Sequence, residues 1–121
     1  MEDERNQYRG ITIQGVPAAD IINFNQRFPD LKVLCLNNYL PEAIEIAEKT
    51  NENLAFDISF TERSNTVDTL TNAISPERLF LGTHTPILYT LSGLMKVQYS
   101  TRADSVKEAI QSGNAQSWFQ L

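Results

Sequence analysis

The 121-residue chain has one cysteine, one histidine and one tryptophan. No apolar run approaches the roughly 20 residues needed to cross a bilayer. A single cysteine excludes an internal disulfide, and Cys35, set in "KVLCL", reads as a small buried strand residue in a reducing compartment rather than as a nucleophile. Basic residues are also few: 10 Lys and Arg stand against 15 Asp and Glu, for a net charge of -5, and they are scattered singly. A phosphate backbone is repelled by such a surface, which argues against nucleic acid as a partner. The start, "MEDERNQYRG", is acidic and polar where a signal peptide is basic and then apolar. With no membrane segment and no signal, the expectation is a cytoplasmic protein.

What is present is ordinary for a globular domain, with 41% hydrophobic and 21% charged residues. The length suits one domain and is too short for two. "GITIQG" reads as a short strand, and "VPAADIINFNQRF" switches to helical spacing with Ile21, Ile22, Phe24 and Phe28 facing inward. Pro29 and Asp30 stop that helix before the apolar run Val33 to Leu36, a strand suited to burial on both faces. Pro41 and Glu42 then open a helix that carries Ala43, Ile44 and Ala47 on one stripe and ends near Thr50.

"NLAFDISF" is the third strand, with Leu54, Phe56 and Ile58 alternating against Ala55, Asp57 and Ser59. A helix is expected from about Asn65 to Ile74, and a fourth strand from Leu79 to Leu81. Helical spacing resumes through "ILYTLSGLMKVQYS", with Gly93 as a weak point, and again from "ADSVKEAIQSG", with Asp104 as cap and Gly113 as stop. Strands followed each by a helix make an α/β fold with parallel strands and right-handed crossovers.

Three stretches, "FPDLKVLCLNNYLPEAIEIAEKTNENLAFDIS", "ISPERLFLGTHTP" and "IQSGNAQSWFQL", together resemble the C-terminal half of the amidohydrolase-related metal-dependent hydrolases, in order and spacing. The resemblance runs from about Gly10 to Leu121. It implies the last four β/α units of a (β/α)8 TIM barrel, a fold that needs about 250 residues when whole. Half of the fold is then missing, and Met1 stands either within a longer relative or at the start of a shortened gene.

Such hydrolases hold a divalent cation such as zinc at the C-terminal ends of the barrel strands, where the metal makes hydroxide from bound water. The resemblance places a His-x-His pair on the absent first strand, His on the fifth and sixth, and Asp on the eighth. Gln14 or Gly15 falls at the fifth-strand position, Asn37 or Asn38 at the sixth, and His84 at the eighth. Asn is a poor zinc ligand, so the constellation looks degenerate. His84 stays open between a turn-holding residue, a retained catalytic or polar group, and a metal ligand. Asp57 either points into the barrel mouth or caps the sheet. Glu2 to Arg5 are either a solvated charge cluster or carboxylates facing the site, and Trp118, Phe119 and Leu121 read as packing that closes the barrel end.

Two functions follow. In the first, the chain is the C-terminal part of a hydrolase or decarboxylase acting on a small-molecule substrate, inactive alone because the first-half ligands are absent. In the second, it is a non-catalytic half-barrel that self-associates. Both predict a partner, either a second copy in a homo-oligomer or the missing N-terminal half-barrel, with strand-borne apolar residues at the centre of the contact.

Overall fold

A computed structural model describes residues 15–121. Residues 10–14 of the expected strand "GITIQG" and the candidate residues Glu2, Arg5 and Gln14 lie outside the described residues, and Gly15 is exposed and in no strand. The rest is an α/β fold built on a three-stranded parallel sheet of order β1-β2-β3, formed by Val33–Cys35, Leu54–Asp57 and Leu79–Phe80. β1 and β2 are joined through α2 (Leu40–Glu48), and β2 and β3 through α3 (Thr66–Leu70) and the 3-10 turn Pro76–Arg78. Before the sheet comes α1 (Ala18–Arg27); after it come α4 (Thr90–Gln98) and a helical path of α5 (Asp104–Glu108), a π-helical turn at Ala109–Gly113 and α6 (Asn114–Phe119).

The register separates the two faces of the sheet. Val33 pairs with Leu54, Cys35 with Phe56, and Phe56 with Leu79, so these side chains share one face. They join a single core with Ile22 of α1, Ala43 and Ile46 of α2, Val67 and Leu70 of α3, Val97 of α4 and Ile110 of the π turn. Each large side chain buried there contributes about 1.5–3 kcal/mol, so this face carries most of the stability. The opposite face bears Leu34, Ala55 and Phe80, and Trp118 and Phe119 of α6 lie edge-on to the Phe80 ring at 5.5 and 6.5 Å. Lys32 pins that cover, its ammonium 5.1 Å over the Trp118 ring and 3.2 Å from the Trp118 carbonyl.

Several sequence expectations are corrected by packing. The inner stripe of α1 is Ala18, Ile21, Ile22 and Asn25, whereas Phe24 and Phe28 are partly exposed and pack on each other. Asn25 is tolerated inside because its amide donates to Asn51 at 3.0 Å and accepts the Asn51 N–H at 3.2 Å. Alternation along β2 does not separate core from water, since every residue from Leu54 to Phe56 is buried. α3 stops at Leu70, where the Thr71 hydroxyl bonds back to the Val67 carbonyl at 2.7 Å.

The ending differs most. Asp104 opens the first turn of α5 behind the cap residue Ala103, where its charge faces the positive helix end. Gly113 ends nothing: its φ of -58° is helical, and the chain continues into α6. The π turn instead presents the Ile110 carbonyl to the Leu81 N–H at 2.9 Å, extending the bonding of β3 beyond the sheet. Asn114 anchors the start of α6, its amide donating to the Pro76 and Leu79 carbonyls at 2.8 Å each. Of the expected closing residues Trp118 packs, Phe119 is half exposed, and Leu121 is exposed.

Candidate functional site

The three parallel strands end on one rim, and three of the candidate residues arrive there because each lies just past or at a strand's end. Asn37 follows β1, Asp57 closes β2, and His84 follows β3. Binding groups collect at such a rim because the loops after parallel strands all leave the same edge of the sheet. Asn37 and His84 both adopt left-handed backbone, at φ 59° and 53°, and the Thr85–Pro86 peptide after His84 is cis. Non-glycine residues are uncommon in that region, and one lies in the loop after each of β1 and β3.

Asp57 ties the rim together. Its Oδ1 accepts the Ser59 hydroxyl at 2.6 Å, the Ser59 N–H at 3.1 Å and the Asn37 N–H at 3.4 Å. The carboxylate therefore ties the loop after β1 to the end of β2. Its other oxygen lies over Gly82, where a Cβ would stand 2.0 Å from Oδ2. Asn38 turns inward instead: it is buried, and its amide donates to the Cys35 carbonyl at 2.8 Å, fixing the turn out of β1.

His84 sits edge-on to the Phe60 ring at 4.7 Å between centroids, and Tyr39 meets Phe60 at 6.2 Å. An aromatic row thus runs along the rim from the β1 loop to the β3 loop. Hydroxyls hold the His84 loop, with Thr83 3.0 Å from Thr85 and Thr85 2.5 Å from Thr90 at the start of α4. Under the rim, Lys96 of α4 donates to the Ile58 and Ser59 carbonyls at 3.3 and 2.8 Å and to Glu62 at 2.8 Å. Ser59, Phe60 and Lys96 were not singled out in the sequence. Ser59 carried a signal, because a hydroxyl two residues after Asp is a common side-chain turn; Phe60 and Lys96 carried none, since only tertiary packing brings them here.

These residues do not fit the zinc centre that the resemblance implies. Asn37 and His84 contribute one neutral amide and one imidazole, and the Asp57 carboxylate already serves three donors and abuts a glycine. Among the described residues no three His, Cys, Asp or Glu side chains gather as a ligand group. What the rim brings together is a carboxylate held by three donors, an imidazole against an aromatic ring, and threonine hydroxyls bonded to one another. Among the described residues no helix is long and apolar enough to cross a membrane. Comparison of the chain with protein-family models, curated proteins and solved structures finds no match.

Proposed function

We propose that this chain is the C-terminal β/α part of an amidohydrolase-like TIM barrel, whose rim binds a small polar molecule without catalysing hydrolysis by itself. The observation that carries the reading is that Asn37, Asp57 and His84 stand at the C-terminal ends of three successive strands. Its support includes the winding of the sheet: strand order follows chain order, and α2 and α3 pack on the same face. Successive β/α units of a barrel wind in one direction in this way, and here α6, packed on Phe80, covers part of the other face. The sequence resemblance adds the hydrolase family. The resemblance assigns the remaining groups needed for chemistry to the family's N-terminal half-barrel, so this part by itself is read as an inactive rim.

Elemental analysis of the purified chain, run beside its solution mass, tests this reading together with assays on simple esters, lactones and amides. The expected result is no stoichiometric zinc after dialysis and no turnover above background. About one zinc per chain, with turnover that disappears in His84→Ala, would overturn it. An in-frame upstream coding sequence with a His-x-His strand would strengthen the barrel assignment.

A further inference from the structure

A surface helix ordinarily turns charge toward water and apolar residues toward the core. α4 does not. From Leu79 to Thr101 the sequence contains a single Lys, Arg, Asp or Glu, which is Lys96. That ammonium is turned inward onto the Ile58 and Ser59 carbonyls and Glu62, leaving its side chain 7% exposed. Gly93 and Val97 face the interior. On the opposite side Leu91, Leu94, Met95 and Tyr99 recur at helical spacing and are exposed, and Ile87 and Tyr89 extend this apolar surface into the preceding turn.

We propose that this face of α4 is a homodimer surface, on which a second copy packs α4 against α4 about a two-fold axis. The area fits. Six side chains exposed by 38% to 88%, at about 150–250 Å² for a large side chain, present roughly 700 Å². That exceeds the ~300–600 Å² of a typical monomer's largest apolar patch and approaches the ~800 Å² that each partner contributes to a standard interface. The chemistry fits as well, since interface cores lose charge and gain Tyr and Met. Two chains of net charge -5 repel over most of their surfaces, and a charge-free face is where they can meet. A lipid surface is disfavoured, because interfacial helices present Lys or Arg to anionic headgroups and the one cation here is tied inside.

This surface differs from the strand-centred contact expected from sequence. Leu54, Ala55, Phe56, Ile58, Leu79 and Phe80 are covered within the chain, leaving few strand residues to offer a partner. It also stands apart from the barrel reading, because a missing half-barrel would add at the strand edges and not on the outer face of a helix.

Sedimentation velocity of the full chain from roughly 1 to 100 µM, repeated on Leu91→Lys and Tyr99→Lys, tests the proposal. Both positions are exposed, so circular dichroism should show both variants folded. The expected result is a reversible dimer whose dissociation constant rises at least about tenfold in each variant. A chain that stays monomeric at every concentration would overturn the proposal and leave the face to a different partner. So would a dimer that both variants leave unchanged, which would place the contact elsewhere, such as the edge of β1. If one variant fails to fold, the other and the unmodified chain still decide.

Discussion

The carboxylate of Asp57 rests against the Cα of Gly82, so closely that a Cβ there would lie 2.0 Å from Oδ2 and 2.8 Å from Cγ, with Ser59 Cβ at 3.2 Å. Glycine at the end of β3 is therefore what allows the β2 carboxylate to reach across to Ser59 and Asn37.

Gly82→Ala is expected to destabilise the fold by about 1–3 kcal/mol. The restriction of the unfolded chain would favour alanine by ~0.4–1 kcal/mol, but the clash is too severe to be absorbed while Asp57 keeps its three bonds. Thermal or urea unfolding measures the loss. In an Asp57→Ala background the same substitution should cost much less, and equal costs in the two backgrounds would show that Asp57 is not the obstacle.

Arg78 leads to a second prediction. Its guanidinium donates to the Leu54 carbonyl at 2.7 Å, to the Ala47 and Thr50 carbonyls at 3.2 and 3.4 Å and to the Thr50 hydroxyl at 2.8 Å, and lies over the Phe56 ring. One planar fork thereby satisfies the end of α2 and the start of β2. Arg78→Ala should cost about 3 kcal/mol in denaturant unfolding, and Arg78→Lys should recover less than half of that, since an ammonium cannot span these acceptors. A lysine variant as stable as the parent would refute this role.

The parts of the fold that follow from local chemistry were legible in the sequence. Pro29 and Asp30 before "KVLC", Pro41 in the first turn of α2, and "LAFD" between polar segments mark elements close to where they stand. The candidate rim is reached otherwise: the family resemblance points to Asn37 and His84, and the alternation of "FDIS" to Asp57, and all three lie at or beyond a strand's end. What could not be read depends on contacts between distant segments. Gly113 looks like a helix stop, yet a helical glycine is tolerated when Asn114 is held by the Pro76 and Leu79 carbonyls and Ile110 by the end of β3. Gly93 looks like a helical weakness, but its bare Cα lets α4 approach Gly82 and Thr83, whose atoms would lie 3.1–3.3 Å from a Cβ. Phe24 and Asn25 exchange their expected places because Asn51, 26 residues from Asn25, supplies the amide's partner.

Asp68 yields a pH dependence. Its carboxyl is held below the ordinary carboxylate range chiefly by the Thr101 hydroxyl, with partial burial acting against it and the Thr101 N–H, the Ser100 hydroxyl and Arg102 adding to the effect. Oδ1 accepts the Thr101 hydroxyl at 2.5 Å and its N–H at 3.0 Å, joining α3 to the turn after α4. A value lower in the folded than in the unfolded chain gives stability that is present above about pH 3.9 and is lost as pH falls through the folded value. Asp68→Asn should therefore be less stable than the parent at pH 7, with the gap narrowing below about pH 4. Unfolding curves separated by a constant amount from pH 7 to pH 3 would exclude this linkage.

Cys35 gives the opposite sign at the alkaline end. Burial in the core pushes its thiol up from 9.0 to about 11, with the positive charge of Arg78 pulling modestly the other way. The folded chain keeps the thiol neutral where the unfolded chain has already ionised. Its contribution to stability is thus complete below about pH 9 and is lost as pH rises toward 11. Cys35→Ala has no such group, so the stability of the parent should fall relative to the variant across that window, whatever constant offset the smaller side chain introduces. The same shift predicts slow alkylation. At pH 8 two pKa units reduce the thiolate fraction about a hundredfold, and burial of the sulfur in the core slows attack further. Iodoacetamide should label the folded chain at least about a hundredfold more slowly than the urea-unfolded chain. Comparable rates in the two states would mean that the strand around Cys35 opens readily, and that the core face of β1 is less firmly held than its packing against α2 and β2 implies.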